Sequence, residues 1–552
     1  MVKAFRNMNT AKRGRKAVTK DVTLKDFSGG LYPTDAETVL AHKYAPVLNN
    51  MTIEDDFSLV TRFGTKEFAT CSAAIVAITY FEGAIIAFLA DGTVEKVDSA
   101  GTVTAIWNTT IAAALPGAPS AWSATTHIDF AEGNGGLAAF NDVDKPILID
   151  DTHNVTYLQD PATGSNTNTP IAQHVTVCNN YCVVANVHSV DDLTLVISSA
   201  GTTGVWPGDA APNDSVVFEL HNYISDGDTT VVGLSSFGNY LIVFLDTSFI
   251  VMTLGEYNSG GAHVPRVVNT VPETSIMGHR NLVKTDKDIL FMGKNGVFSA
   301  RQATFTEAFE TQSKSDNIAK LLSKVLPTVP NTTTINSFAV QDAIKDKAFF
   351  FLEDSDSNMH VYQMSYTKDL KTIQWNTISG WSFTSGCKSA HKRIFLSEGT
   401  KIYRYGNDVF ADEEYYEDYL DTNGDNGTPI DIDWELPWTD FGNRMKTKQM
   451  LRIAADTLGT ARFKLQVFVD KIYKDAVGAY NPSLEIEMVG GDTQGFGSGG
   501  VTFGSGRNVS DERQYGMPVR FKVLKLRFTG SVTEKLLITS ISYILNLGTY
   551  HR

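Results

Sequence analysis

His174, Cys178, Cys182 and His188 fall within fifteen residues of one another and are of the types that ligate zinc. Thiolates and imidazoles hold zinc when four of them close a tetrahedron, and structural sites space them accordingly. Asn179-Asn180 reads as a hairpin turn between the cysteines, which puts Cys178 and Cys182 on neighbouring strands and off that spacing. Two small buried thiols are expected instead. Gly495, Gly497 and Gly500 satisfy G-x-G-x-x-G, but that motif binds phosphate only where a helix N-terminus follows. Here Val501-Thr502-Phe503-Gly504 follows, and no Walker lysine accompanies it. Asp421-Thr422-Asn423-Gly424-Asp425-Asn426-Gly427 opens like a calcium loop, yet its sixth and twelfth positions are Asn426 and Ile432, where an EF-hand needs Gly and Glu. A polar turn is the first reading, and a loose non-EF calcium site stays open. Gly497-Ser498-Gly499 and Gly504-Ser505-Gly506 are fragments of a nucleophile elbow inside a glycine tract expected to be mobile, without the rigid turn and oriented base a nucleophile needs. Ser225-Asp226-Gly227-Asp228 lacks the spacing of a sialidase Asp box. These residues support no enzyme, no cofactor and no metal site.

The elements that would position any site are more regular than the chemistry. Tyr240 to Leu245 is six apolar residues without interruption, Asp246-Thr247-Ser248 breaks them, and Phe249 to Met252 runs apolar again. A strand that does not alternate polar with apolar must be covered on both faces. The same pattern of apolar strand, Gly/Asp/Asn break and second strand starts at Ala84, Leu137, Tyr181, Ile289, Ala348 and Arg393. A recurrence of about 50 residues with several strands per unit predicts an all-β chain, a β-propeller of about six to eight blades. A sandwich-rich multidomain chain is the competing expectation.

The 552 residues exceed one small core, and the net charge is -15. Lys3, Arg6, Lys12, Arg13, Arg15, Lys16 and Lys20 crowd the first twenty residues with no acid, so the remainder carries -22. A body that acidic does not clamp DNA, because phosphate binding needs a basic footprint, although it can surround DNA without holding it. Four cysteines in so long a chain make no disulfide framework, and a reducing cytoplasm suits them. The basic start has no apolar segment behind it, so no export signal is read. Ala73 to Ala90 is apolar enough to raise a membrane span, but Glu82-Gly83 at its centre and its β-branched flanks predict a core hairpin.

The boundaries follow. Residues 1–20 read as a basic flexible arm, 21–72 as an N-terminal platform segment with a short helix around Thr34 to Tyr44, and 73–410 as the propeller. The propeller carries a helical insertion at 313–327, in which Ser315 or Asp316 caps, Ile318, Leu321, Leu322 and Val325 form one stripe, and Pro327 stops the helix. Residues 411–435, rich in acids and without an apolar period, read as a linker. Residues 436–552 read as a separate C-terminal β-sandwich-like domain, with strands at Met450 to Ile453, Phe463 to Ile472, Leu484 to Met488, Val519 to Phe528 and Leu536 to Tyr543, and a Gly-rich loop at 490–506.

Asp26-Phe27-Ser28-Gly29-Gly30-Leu31, then Leu48-Asn49-Asn50, then Arg62-Phe63-Gly64 opening a β-rich body form an ordered set. It resembles the start of the tail tubular B, or nozzle, proteins of short-tailed bacteriophages, and of the related packaged-DNA stabilisation proteins. Ser198 to Gly201 followed by Trp206-Pro207 resembles a blade segment of that family, and Phe244 to Met252 one of its strand pairs. Arg452, Phe463 to Asp470 and Val523 to Leu526 resemble its closing β-domain. The basic arm departs from the family pattern. The resemblance implies a virion structural protein assembled in the host cytoplasm: a homo-hexameric ring docked on the portal-adaptor (head-to-tail connector), carrying tail fibres or spikes, through which genomic double-stranded DNA leaves without sequence-specific contact. On that expectation Asp412, Glu413, Glu414, Glu417 and Asp418 are candidates to line the lumen, since carboxylates repel phosphate and let DNA slide. Gly495, Gly497, Gly499 and Gly500 are candidates for a gate. Solvated linker and surface loop are the plainer alternatives for these two segments. The other functional expectation is a propeller that binds a glycan or protein, with Trp206, Trp375 and Trp381 lining a shallow pocket.

Overall fold

All seven apolar strands foreseen from the recurrence become the second strand of a four-stranded antiparallel meander in the computed structural model. These second strands are Ala84–Leu89, Gly136–Phe140, Tyr181–Val187, Tyr240–Leu245, Ile289–Gly293, Lys347–Glu353 and Ile394–Glu398. The residues described are 18–34, 40–54, 56–114, 122–124, 127–159, 164, 167–188, 190–209, 214–224, 226–259, 263–302, 309–329, 336–368, 370–408, 413–422, 426–442, 447–458, 462–470, 482, 484–489 and 519–547. The seventh meander is closed from the other end of the chain: Lys401–Tyr405 pairs with Thr65–Thr70, which stands as its fourth strand. The protein is all-β, built of propeller-like sheets.

An uninterrupted apolar strand is stable only if both its faces are covered, and each junction between meanders supplies that cover. Separate clusters of buried side chains lie between the first and second meanders, second and third, third and fourth, and so on to the seventh and first. The last of these packs Ile85, Ala87 and Leu89 against Phe395 and Ile402. Phe244, Phe249 and Phe291 interlock between the fourth and fifth. Each such aromatic contributes about 1.5–3 kcal/mol by leaving water. The expected hairpin at 73–90 is formed, by Ile75–Phe81 and Ala84–Leu89, and no helix among the described residues is long and apolar enough to cross a membrane.

Beyond the meanders, the chain ends combine in two further sheets. In one, Leu537–Leu547 pairs with Val18–Leu24, Lys448–Leu458 and Leu59–Thr61. In the other, the sixth meander continues from Ile373–Ile378 through Val47–Asn49, Thr428–Glu435, Leu524–Val532 and Arg462–Val469 to Leu484–Val489. Three expectations are corrected here. Residues 18–20 are strand and not arm, because Val18 to Leu24 finds a pairing edge on Leu537–Leu547. The C-terminal strands do not close a sheet by themselves but share both sheets with N-terminal strands. The acidic segment is not a bare linker: Thr428–Glu435 is an interior strand with Ile430, Ile432 and Trp434 buried, an alternation masked in the sequence by the acids between them. Asp433 answers Arg527, and Glu435 pairs with buried Lys525 at 2.6 Å.

The helical insertion is present as Ala319–Val325 flanked by 3-10 turns at Asp316–Ile318 and Leu326–Thr328. Ser315 does not cap it. Its hydroxyl accepts the Val297 amide at 2.9 Å, and Pro327 lies inside the last turn instead of ending it. A short helix not foreseen, Thr109–Ala114, follows the first meander. The expected helix around 34–44 falls partly outside the described residues, and its described end, 40–45, is turn and strand.

Candidate functional site

The three N-terminal segments of the sequence resemblance, Asp26 to Leu31, Leu48 to Asn50 and Arg62 to Gly64, meet at one place. Arg62, 1% exposed, donates from Nη1 to Asp418 Oδ1 at 2.8 Å and from Nε to Asn50 Oδ1 at 2.8 Å, and its Nη2 pairs with Asp418 Oδ2. Its guanidinium lies 4.5 Å from the centre of the Trp381 ring, whose Nε1 donates to Asp418 Oδ1 at 3.0 Å. Asn50 in turn donates to the Asp431 carbonyl at 2.7 Å and to Ser379 Oγ at 2.9 Å. A bidentate, fully hydrogen-bonded pair of this kind offsets the cost of burying two charges, which an isolated pair does not. Phe27 packs edge-on against Trp434 at 5.1 Å, and Gln374 donates to the Ser28 carbonyl. Gly30 has φ +66, and a Cβ there would press on the Trp375 backbone, so the paired glycines are needed for both turn and close approach. The junction thus ties the N-terminal segment, the sixth and seventh meanders and the acidic stretch into one body.

The predicted lining acids are divided by this arrangement. Asp418 is buried in the pair with Arg62 and is withdrawn as a lining residue. Glu413 and Glu414 form a short hairpin with Asn407 and Asp408; Glu414 is exposed, accepts from the Tyr416 hydroxyl at 2.7 Å and stands 4.0 Å from Lys535. Burial and that carboxylate push the Tyr416 phenol well up. Glu417 is half-buried on the strand that pairs with Pro429. Asp412 and the candidate gate residues Gly495, Gly497, Gly499 and Gly500 lie outside the described residues, as does part of the calcium-like loop.

A second feature was not foreseen. Residues from the first strands of all seven meanders line one central cavity of about 380 Å³, among them Thr79, Asp129, Thr176, Ser235, Lys284, Ala339 and Gly386. His279 stands at its wall and clusters with two further imidazoles, with ring centres 4.7 Å apart for His127 and His279, 5.4 Å for His174 and His279, and 5.6 Å for His127 and His174. His174 is wholly buried, and neither ring nitrogen makes a hydrogen bond; Nδ1 stands 3.5 Å from Asp129 Oδ2. Burial, reinforced by His127, Arg280 and His174, holds His279 well below its ordinary pKa of 6.5. Burial also draws Arg280 down to about 10, against the pull of Asp129. Among the described residues no group of three or more His, Cys, Asp or Glu is placed to hold a metal ion. Only His174 of this cluster stood out in the sequence; the other two sit 47 residues before it and 105 after it, and nothing local links them.

Cys178 and Cys182 are buried free thiols flanking Asn179 and Asn180, both at positive φ, as the hairpin turn required. Burial pushes both thiols up to about 12. Trp206, Trp375 and Trp381 are 0%, 1% and 4% exposed, so they are core residues and cannot line a shallow pocket. A third cluster joins the third and fourth meanders at their rim: the Tyr257 hydroxyl donates to Asp214 at 2.8 Å and bonds the Tyr181 hydroxyl at 2.8 Å, and Tyr181 stacks on His263 at 4.4 Å. Burial pushes the Tyr181 phenol far up, which leaves it a hydrogen-bond donor and not a base.

No family model matches the chain, and no curated protein does. Among solved structures it is similar to a streptogramin B lyase, at 12% identity and a TM-score of 0.37, over 62% of this chain and 98% of that one. It is also similar to PorZ, an essential surface component of the type-IX secretion system of Porphyromonas gingivalis, at 13% identity and a TM-score of 0.33, over 62% of this chain and 37% of that one.

Proposed function

We propose that this chain is a structural, non-enzymatic tail nozzle protein of a short-tailed phage. Copies form a ring, six by the resemblance, below the portal-adaptor; the ring conducts and gates the outgoing genome and anchors fibres. In this reading the seven meanders are the blades of one propeller, closed by Thr65–Thr70 as the fourth strand of the last blade, and the two mixed sheets form the platform and tube. One observation carries it: the motif residues Phe27, Gly30, Asn50, Arg62 and Gly64 gather at the junction between the meanders and the mixed sheets. A motif set that turns out to be the joint of a two-part body supports common architecture more strongly than scattered matches do. The acidic body agrees with a conduit that does not retain DNA. Glu413, Glu414 and Glu417 remain the proposed lining. The binding-module alternative loses the three tryptophans it relied on.

Electron microscopy and mass measurement of the purified protein, alone and with an adaptor ring, test the proposal. A toroid of six times the 60.3 kDa chain is expected, and a persistent monomer in both preparations overturns it.

A further inference from the structure

Between Lys145 and Arg266 the chain has 120 residues with twelve acids and not one lysine or arginine. The stretch includes the whole third meander, and one end of that meander gathers three exposed acids: Asp191, Asp192 and Glu219. Thr194 pairs with Glu219, and His221 Nε2 lies 3.3 Å from Asp191, so these connections are side by side. Exposed Val190, Val217 and Tyr223 stand among them, at 37%, 50% and 40%.

The opposite kind of surface lies on the sixth meander. A cleft of about 780 Å³ between that meander and the N-terminal segment is lined by Lys43, Lys345, Lys347, Lys368 and Lys371 against only Glu54 and Asp346. All of these lysines but Lys347 are exposed. At its mouth Phe57 and Ile344 are 46% and 50% exposed. In a molecule of net charge -15 this is a concentrated basic surface. Of the eight large hydrophobic side chains exposed among the described residues, five fall in these two patches. Scattered exposed apolar residues need no explanation, but ones gathered inside charge-complementary patches mark interaction sites.

We propose that the lysine cleft of one copy receives the acidic end of the third meander of a second copy of this chain. The cleft sits at the turns joining first to second and third to fourth strands, whereas the acidic patch sits at the opposite strand ends of a meander three places away. One copy therefore cannot satisfy its own patches. The contact is head-to-tail, and it repeats from copy to copy until rotation closes a ring. This inference rests on the ring reading above and assigns its contact surfaces.

A charge exchange tests it. Lys345→Glu/Lys368→Glu/Lys371→Glu makes the cleft acidic, and Asp191→Lys/Asp192→Lys/Glu219→Lys makes the patch basic; all six positions are exposed. Each variant alone is expected to weaken self-association at least about tenfold by sedimentation velocity in about 50 mM salt, and an equimolar mixture to restore it, since every mixed contact is again opposite in sign. A variant that failed to fold would give no restoration, so Lys368→Ala and Asp192→Ala, each expected to weaken association about threefold and to keep wild-type circular dichroism, are measured beside them. Assembly of the wild type with all four variants unaffected overturns these contact surfaces and leaves the ring standing. Loss in each reversal variant without recovery on mixing, with the alanine variants folded and unaffected, also overturns the contact. A monomeric wild type overturns both.

Discussion

The carbonyl oxygen of Glu417 occupies the space in which a Cβ on Gly64 would have to stand, and the Gly64 amide donates to the Tyr415 carbonyl at 2.6 Å. Only a residue without a side chain lets these two backbones, some 350 positions apart in the chain, come together. Gly64→Ala is therefore expected to lower stability by about 1–3 kcal/mol, the usual cost of forcing a methyl into packed space, or by more if the backbone cannot shift. The midpoint of urea unfolding measures it, with Gly278→Ala, where φ is not positive and a Cβ comes no nearer than 4.0 Å to any atom, as the comparison.

Beside that contact, the Arg62–Asp418 pair predicts an asymmetric result. Arg62→Ala strands a buried carboxylate and should cost about 3–5 kcal/mol, whereas Arg62→Met with Asp418→Leu removes both charges and should cost much less. Equal losses in the single and double variants would mean that the pair is not desolvated.

Core packing between meanders sets a third expectation. Phe350→Ala, at a side chain with no exposure, is expected to cost about 3–5 kcal/mol through lost burial and an unfilled cavity. Val217→Ala, half exposed on an outer strand, should change stability by less than about 0.5 kcal/mol. Thermal unfolding distinguishes them.

The buried histidine cluster makes stability depend on pH. His279 stays neutral in the folded protein because burial, His127, Arg280 and His174 oppose its proton, while an unfolded chain takes that proton up below about 6.5. Its contribution is therefore complete above about pH 6.5 and is lost as pH falls, with a slope of up to about 1.4 kcal/mol per pH unit. His279→Asn should flatten the stability profile between pH 6.5 and 5, a window above the titration of the carboxylates, and an unchanged slope would assign the pH dependence elsewhere.

For the conduit, Glu413→Lys with Glu414→Lys replaces two repulsive charges by two phosphate ligands, and should slow DNA release from assembled particles, more so at low salt. Unchanged ejection kinetics would remove these residues from the lining.

Strand periodicity was legible from one dimension. A double-sided apolar run such as Tyr240 to Leu245 or Ile289 to Gly293 needs cover on both faces wherever it is placed, so residue order alone announced the repeated meanders and the core hairpin at 84. The buried thiols were announced the same way, by a turn of two asparagines that tolerate positive φ. Alternation broken by acids was misread: in Ile430-Asp431-Ile432-Asp433-Trp434 the acids face outward, toward Ser531 and Arg527, and the strand lies inside a sheet.

Partnership across hundreds of residues was decided only in three dimensions. No local pattern tells Thr65–Thr70 to pair with Lys401–Tyr405, Val18–Leu24 to pair with Leu537–Leu547, or Asp418 to leave the acidic stretch for Arg62. The same holds for the three clustered histidines and for the two charged patches, because each gathers side chains from segments that are neighbours only once the meanders have packed. Periodicity follows from burial of each strand's own faces, which sequence records residue by residue. Pairing follows from which edges remain open when every other face has been covered, and that is a property of the whole fold.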